Sequence, residues 1–113
     1  MQLSEFQRLL DAELLCGEDR LDEEVEAVFA SDMMSDVLAC PDELECLLTG
    51  LVNGQVIRTA DMMDIGTIIF VRGKRPADEL IEMARQRDMV VMVTRCRMFS
   101  ACGRLYEAGI GQR

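Results

Sequence analysis

The sequence has no histidine and no tryptophan, only two prolines, and aromatic residues at just 4%. Each absence excludes something. Without histidine, imidazole acid/base chemistry is ruled out, and a zinc site would need four thiolates or carboxylate help from scattered positions. The five cysteines, Cys16, Cys40, Cys46, Cys96 and Cys102, are an odd, widely spaced set with no CxxC pair. Each sits in or beside an apolar run, so they read as reduced, buried thiols rather than a disulfide framework. Iron-sulfur ligand spacing is also missing. No metal and no cofactor is expected. The scarcity of aromatics leaves the core to Leu, Ile, Val and nine Met, a residue that packs adaptably. No apolar run reaches the roughly 18 residues that a membrane helix needs. MQLSEFQRLLDAELL also lacks the basic region and apolar block of a secretory signal. A cytoplasmic chain that does not engage a membrane is expected.

Basic charge is in short supply too. Lys and Arg number 12 against 21 Asp and Glu, a net of −9, and an acidic protein without a basic stripe repels a phosphate backbone. No nucleic-acid partner is expected. The imbalance is uneven: residues 1–50 hold 14 acids against Arg8 and Arg20, a net of −12, while the rest hold 7 acids and 10 bases, a net of +3. The first half reads as a solvated acidic face, and an anion site belongs in the second half.

A chain of 113 residues suits one domain with one core, 1–113. Leu3, Phe6, Leu9 and Leu10 fall at helical spacing, predicting a helix over 4–10. AELLC at 12–16 reads as a strand stopped by Gly17, and GEDRLDEE as an exposed loop. Val25, Ala27 and Phe29 alternate with polar residues, predicting a second strand. Ser31 or Asp32 should cap a helix with Met33, Met34, Val37 and Leu38 facing inward, stopped by Pro41. A buried strand over 45–52, a helix over 55–63 ended by Gly66, and a central β-branched strand TIIFV at 67–71 follow. ADELIEMARQRD is a surface helix, VVMVT at 90–94 the last strand, and Met98 to Ala108 the last helix, with Gly109 as its cap. Apolar strands alternating with helices predict an α/β fold, a largely parallel sheet with helices packed on it.

Two basic segments stand out. FVRGKRPADE follows the central strand and places Arg72, Lys74 and Arg75 around Gly73 at the start of a helix, where free backbone N–H groups can meet an anion. Pro76 and Gly73 equally suit a plain turn, and the spacing is not that of a Walker loop. TRCRMFSACGR follows the next strand, so Thr94, Arg95 and Arg97 should emerge at the same carboxyl edge, the usual ligand edge of open α/β sheets. Ser100 and Cys102 have no base beside them. Asp32 and Asp36, four apart, suit a helix face holding a cation, and equally a cap and a solvated side chain. No catalytic residue is assigned.

Four segments in this order, LSEFQRLLDAELLCGEDRLDEEV, VFASDMMSDVLA, ADMMDIGTIIFVRGKRPADELIEMARQRDMVVMVT and FSACGRLYEAG, together resemble the DRTGG domain family across nearly the whole chain. The resemblance implies the fold of the N-terminal domain of HPr kinase/phosphorylase, an α/β domain without kinase chemistry of its own. It points to the free-standing type, often encoded beside iron-only hydrogenases. In CBS-containing pyrophosphatases the domain lies at a dimer interface near bound dinucleotide polyphosphates. This chain departs from the family's naming motif. Asn53, Gly54 and Gln55 of NGQVIRTAD stand near a GDRTD-like segment, and VRG keeps only Gly73 of the two glycines of a TGG-like one. The resemblance implies a non-catalytic regulatory or interaction module, homodimeric and associated with a hydrogenase-type redox partner. The alternative is a small-molecule sensor binding a nucleotide or other phosphate-bearing anion through Arg72, Gly73, Lys74, Arg75, Thr94, Arg95 and Arg97.

Overall fold

The β-branched run TIIF forms a strand, β4 (Thr67–Phe70), whose four residues are all buried. It lies between β3 (Cys46–Thr49) and β5 (Val90–Val93), both parallel to it and equally buried. β2 (Val28–Ala30) adds a parallel edge beyond β3, and β1 (Glu13–Cys16) an antiparallel edge beyond β5. The sheet order is therefore β1-β5-β4-β3-β2. The computed structural model describes residues 1–111. Residues 112 and 113 of the expected 1–113 domain lie outside them.

A strand buried on both faces needs a helical layer on each. On one face, α2 (Met34–Ala39), α3 (Gly54–Met62) and α4 (Asp78–Arg85) pack Met34, Val37, Val56, Ile57, Ala60, Leu80 and Ala84 onto Leu47, Ile68, Phe70, Val91 and Val93. On the other, α1 (Leu3–Leu10) and α5 (Met98–Glu107) bring Leu3, Phe6, Leu10, Ala101 and Leu105 against Cys46, Leu48, Ile69, Val71 and Met92. Alternate strand residues thus serve different cores, as the period of two requires. The expected α/β architecture with a largely parallel sheet is the one observed.

Several local expectations need correction. β2 begins at Val28, three residues later than the alternation suggests. Val25 is buried, but it lies outside the strand, where its N–H donates to the Met1 carbonyl at 2.8 Å. α2 is only six residues long, so its inward stripe is narrow: Met34 and Val37 are buried while Met33 and Leu38 are exposed. Neither Ser31 nor Asp32 caps it, since the N-cap is Met33. Cys40 is extended before Pro41, as proline demands, and the helix ends there. α3 is stopped by Asp64 at φ 56° rather than by Gly66. Aspartate is among the few residues that tolerate the left-handed region. α5 ends as expected. Gly109 at φ 113° donates to the Tyr106 carbonyl, and Ile110 to that of Leu105, both at 3.0 Å, closing the helix in a Schellman arrangement.

The cysteines are all free, but only Cys16 and Cys46 are buried; Cys40, Cys96 and Cys102 are half-buried. Burial pushes the Cys16, Cys46 and Cys102 thiols up, Cys46 furthest. Thiolate is the reactive form. Labelling of the native protein at pH 8 should therefore leave Cys16 and Cys46 unmodified until denaturant is added, whereas rapid labelling of both would contradict this packing. Gly17 supplies a second check. It holds φ 92°, and a Cβ there would sit 2.8 Å from the Cα of Val90 on β5. Gly17→Ala should cost about 2–3 kcal/mol through the left-handed backbone and the contact, lowering Tm by roughly 10 °C in a calorimetric scan.

Candidate functional site

The connections leaving β4 and β5 diverge: α4 lies on one face of the sheet and α5 on the other. Adjacent parallel strands with diverging connections leave a crevice at their carboxyl ends, the usual ligand position in open α/β sheets. The two basic segments meet there, as their spacing predicts. Their meeting is a backbone pairing. Arg72 N–H donates to the Cys96 carbonyl at 2.7 Å and Gly73 N–H to the Thr94 carbonyl at 2.8 Å. Lys74 N–H closes the turn on the Val71 carbonyl at 3.3 Å.

The turn that makes this possible has two consecutive left-handed residues, Arg72 at φ 64° and Gly73 at φ 67°. α4 begins only at Asp78, with Ala77 as N-cap, so the turn does not open the helix and Pro76 precedes the first helical turn. A phosphate cradle needs several free N–H groups aimed at one point. Those of Arg72, Gly73 and Lys74 are already engaged, and the loop is not such a cradle.

The side chains are partly committed as well. Arg72 Nη2 lies 3.3 Å from Asp32 Oδ2, and Arg75 Nη1 lies 2.6 Å from Glu13 Oε2. A Cβ at Gly50 would strike the Arg72 guanidinium, so this glycine gives the arginine its path to Asp32. Asp32 does more than pair. Its Oδ1 accepts from Gly50 N–H at 2.6 Å and from Thr49 Oγ1 at 3.2 Å, fastening the carboxyl end of β3. It lies outside α2, so the suggested carboxylate pair with Asp36 on one helix face does not form. Thr94 is buried; its hydroxyl donates to the Leu10 carbonyl at 2.6 Å and accepts from Cys96 N–H at 3.1 Å.

What remains open is a cleft of about 520 Å³ on the β1 side of this edge, lined by Gly73, Arg75, Thr94, Arg95 and Arg104 with Asp11 and Glu13. This volume is within the range of small-molecule sites. Of the expected contacts, Gly73, Arg75, Thr94 and Arg95 line it, while Arg72, Lys74 and Arg97 do not. Arg104, Asp11 and Glu13 were not anticipated. Arg104 sits inside a helix, Asp11 is the left-handed C-cap of α1, and Glu13 opens an edge strand. Only antiparallel pairing of β1 with β5, Glu13 opposite Val93, brings that carboxylate to the basic edge. Three arginines outnumber two carboxylates in the lining, which favours an anion. Asn53, near the family's first motif, caps α3 instead, its Oδ1 accepting from Val56 N–H at 3.3 Å.

Among the described residues no group of three or more His, Cys, Asp or Glu side chains is placed to hold a metal ion. No helix among them is long and apolar enough to cross a membrane.

No family model and no curated protein matches the chain. Among solved structures it is similar to the CBS and DRTGG domains of the regulatory region of a Clostridium perfringens pyrophosphatase, determined with the activator diadenosine tetraphosphate. The two share 20% sequence identity at a TM-score of 0.75 over 92% of this chain. This chain spans 45% of the length of that one. The shared fold is the one that the DRTGG resemblance implies.

Asp32→Ala should destabilise by about 1–2 kcal/mol, because it strands the Gly50 N–H and the Thr49 hydroxyl. Arg72→Gln, which removes only a half-exposed ion pair, should cost less than about 1 kcal/mol. Urea titration of both variants checks the order; an equal loss would mean that Asp32 acts through Arg72 alone.

Proposed function

We propose that the chain is a non-catalytic regulatory module that works as a homodimer. The observation that carries this reading is the fold, shared over 92% of the chain with part of a regulatory region. The chemistry of the carboxyl edge supports it. Ser100 is exposed on α5, and burial pushes the Cys102 thiol up, away from the thiolate form. Asp32 is spent on β3 and on Arg72. A nucleophile needs a base in reach, and neither Ser100 nor Cys102 is hydrogen-bonded to one. For dimerisation the support is the apolar surface: Met33, Met62, Phe99 and Tyr106 are all more than half exposed. The hydrogenase-type partner and the cytoplasmic setting come into the proposal from the family resemblance.

A second reading, favoured by the arginine-lined cleft, gives the module a ligand. A nucleotide or other phosphate-bearing anion would meet Arg95 first, since Arg75 is shared with Glu13 and Arg104 Nη1 donates to the Leu9 carbonyl at 3.1 Å. Diadenosine tetraphosphate is the natural first probe, being the activator of the similar regulatory region. At 100 times its dissociation constant a ligand stabilises the fold by about 2.7 kcal/mol. Thermal shift with diadenosine tetraphosphate, AMP, ATP and pyrophosphate should give a rise in Tm that Arg75→Gln/Arg95→Gln abolishes and Lys74→Gln/Arg97→Gln retains. A shift lost equally in both double variants would point to general charge rather than the cleft. No shift with any of the four at millimolar concentration would remove the sensor reading and leave the module to act through protein contacts.

A further inference from the structure

The arginine-lined cleft also carries a carboxylate that the fold does not need. Asp11, at φ 48°, closes α1 with its backbone: its N–H donates to the Arg8 carbonyl at 3.3 Å, and that of Ala12 to the Gln7 carbonyl at 2.9 Å. The last carbonyls of the helix are taken by other side chains, Leu9 by Arg104 Nη1 at 3.1 Å and Leu10 by Thr94 Oγ1 at 2.6 Å. Glycine, or sometimes asparagine, is the usual residue at such a left-handed cap, and a negative charge there is opposed by the negative end of the helix dipole. The Asp11 side chain makes no compensating contact, since among the described residues none hydrogen-bonds or ion-pairs with it. Of the arginines in the lining, Arg75 is answered by Glu13 and Arg104 by Leu9, whereas exposed Arg95 has no partner among the described residues and does not pair with Asp11. The cleft thus keeps one unanswered group that only donates and one that only accepts.

We propose that Asp11 is the specificity residue of this cleft and selects a phosphate ester with neighbouring hydroxyls, a sugar phosphate or a mononucleotide, over a bare phosphate chain; the inference rests on the reading of the cleft as an anion site. Arg95 takes the phosphate, and the hydroxyls donate to the Asp11 carboxylate in charge-assisted bonds, which are stronger than neutral ones. Three guanidiniums in the same lining disfavour an ammonium, so the donors are neutral hydroxyls. A bare phosphate chain offers acceptors alone: it satisfies Arg95 but meets Asp11 as a like charge. Glu13 is less available, because one of its oxygens is held by Arg75. The position of Asp11 is set by the fold, since Leu9, Leu10 and Glu13 on either side of it are each tied to the basic side of the cleft, to Arg104, Thr94 and Arg75.

Calorimetric titration of the full chain with AMP, its dideoxy analogue, ribose phosphate and pyrophosphate tests this, alongside Asp11→Gly, which suits the left-handed cap and removes both acceptor oxygens. AMP should bind the parent at least about tenfold more tightly than the dideoxy analogue, although the two share charge and base. In Asp11→Gly that ratio should fall to near unity without a drop in the Tm of the free protein, and pyrophosphate should bind more tightly than it binds the parent, because a like charge has gone. Ribose phosphate binding as tightly as AMP identifies a sugar phosphate as the ligand class, and weaker binding a mononucleotide. Equal binding of AMP and the dideoxy analogue by the parent overturns the inference while leaving the anion site in place. A preference for AMP that survives Asp11→Gly overturns the role of Asp11. Binding of none of the four overturns both the inference and the sensor reading.

Discussion

All four residues of each of β3, β4 and β5 are buried. The backbone groups between these strands are satisfied by one another, and both faces require a helical cover. Among the described residues that requirement uses nearly every element: three helices on one side, two on the other, and an edge strand on each flank. The choice of face is what opens the crevice. Because the connection after β4 turns to one face and that after β5 to the other, their first residues meet at the carboxyl edge. The basic segments are there because the core sends them there.

Much of this was legible in the sequence because doubly buried strands leave a simple record. TIIF and VVMV are continuous apolar runs, and their β-branched content separates them from helix segments. Amphipathic helices such as α1 and α4 were legible through their spacing. Short elements were not. β2 has three residues and α2 six, too few for a period to outweigh flanking residues such as Val25 and Met33. The end of α3 was mistaken because Asp64, two residues before Gly66, takes the left-handed position that glycine usually holds. A propensity for turns does not distinguish one neighbour from the other.

The site was half legible for a different reason. Spacing along the chain brought Arg72 to Arg75 and Thr94 to Arg97 to one edge, and there they are. Spacing cannot tell which donors are already used. The N–H groups of Arg72, Gly73 and Lys74 all donate to neighbouring carbonyls, so the glycine turn between three cations is a splice between two connections. The carboxylates that answer its arginines, Asp32 and Glu13, lie 40 and 62 residues away in sequence. Such pairings depend on sheet order. They leave the anion-attracting part of the edge shifted toward β1, around Arg95 and Arg104.

Helix α5 is the element that touches both proposed activities. Its Arg104 lines the cleft, while Phe99, Gly103 and Tyr106 form an outward stripe, and its first turn follows directly from the segment paired with the Arg72 turn. An anion held by Arg104 would act on the same rigid cylinder that carries Gly103, about 100° further round it. Coupling of this kind is reciprocal: if ligand tightens the dimer, dimerisation tightens ligand binding by the same factor. On the proposed reading, ligand at the carboxyl edge and any contact at the outward stripe are joined through one helix.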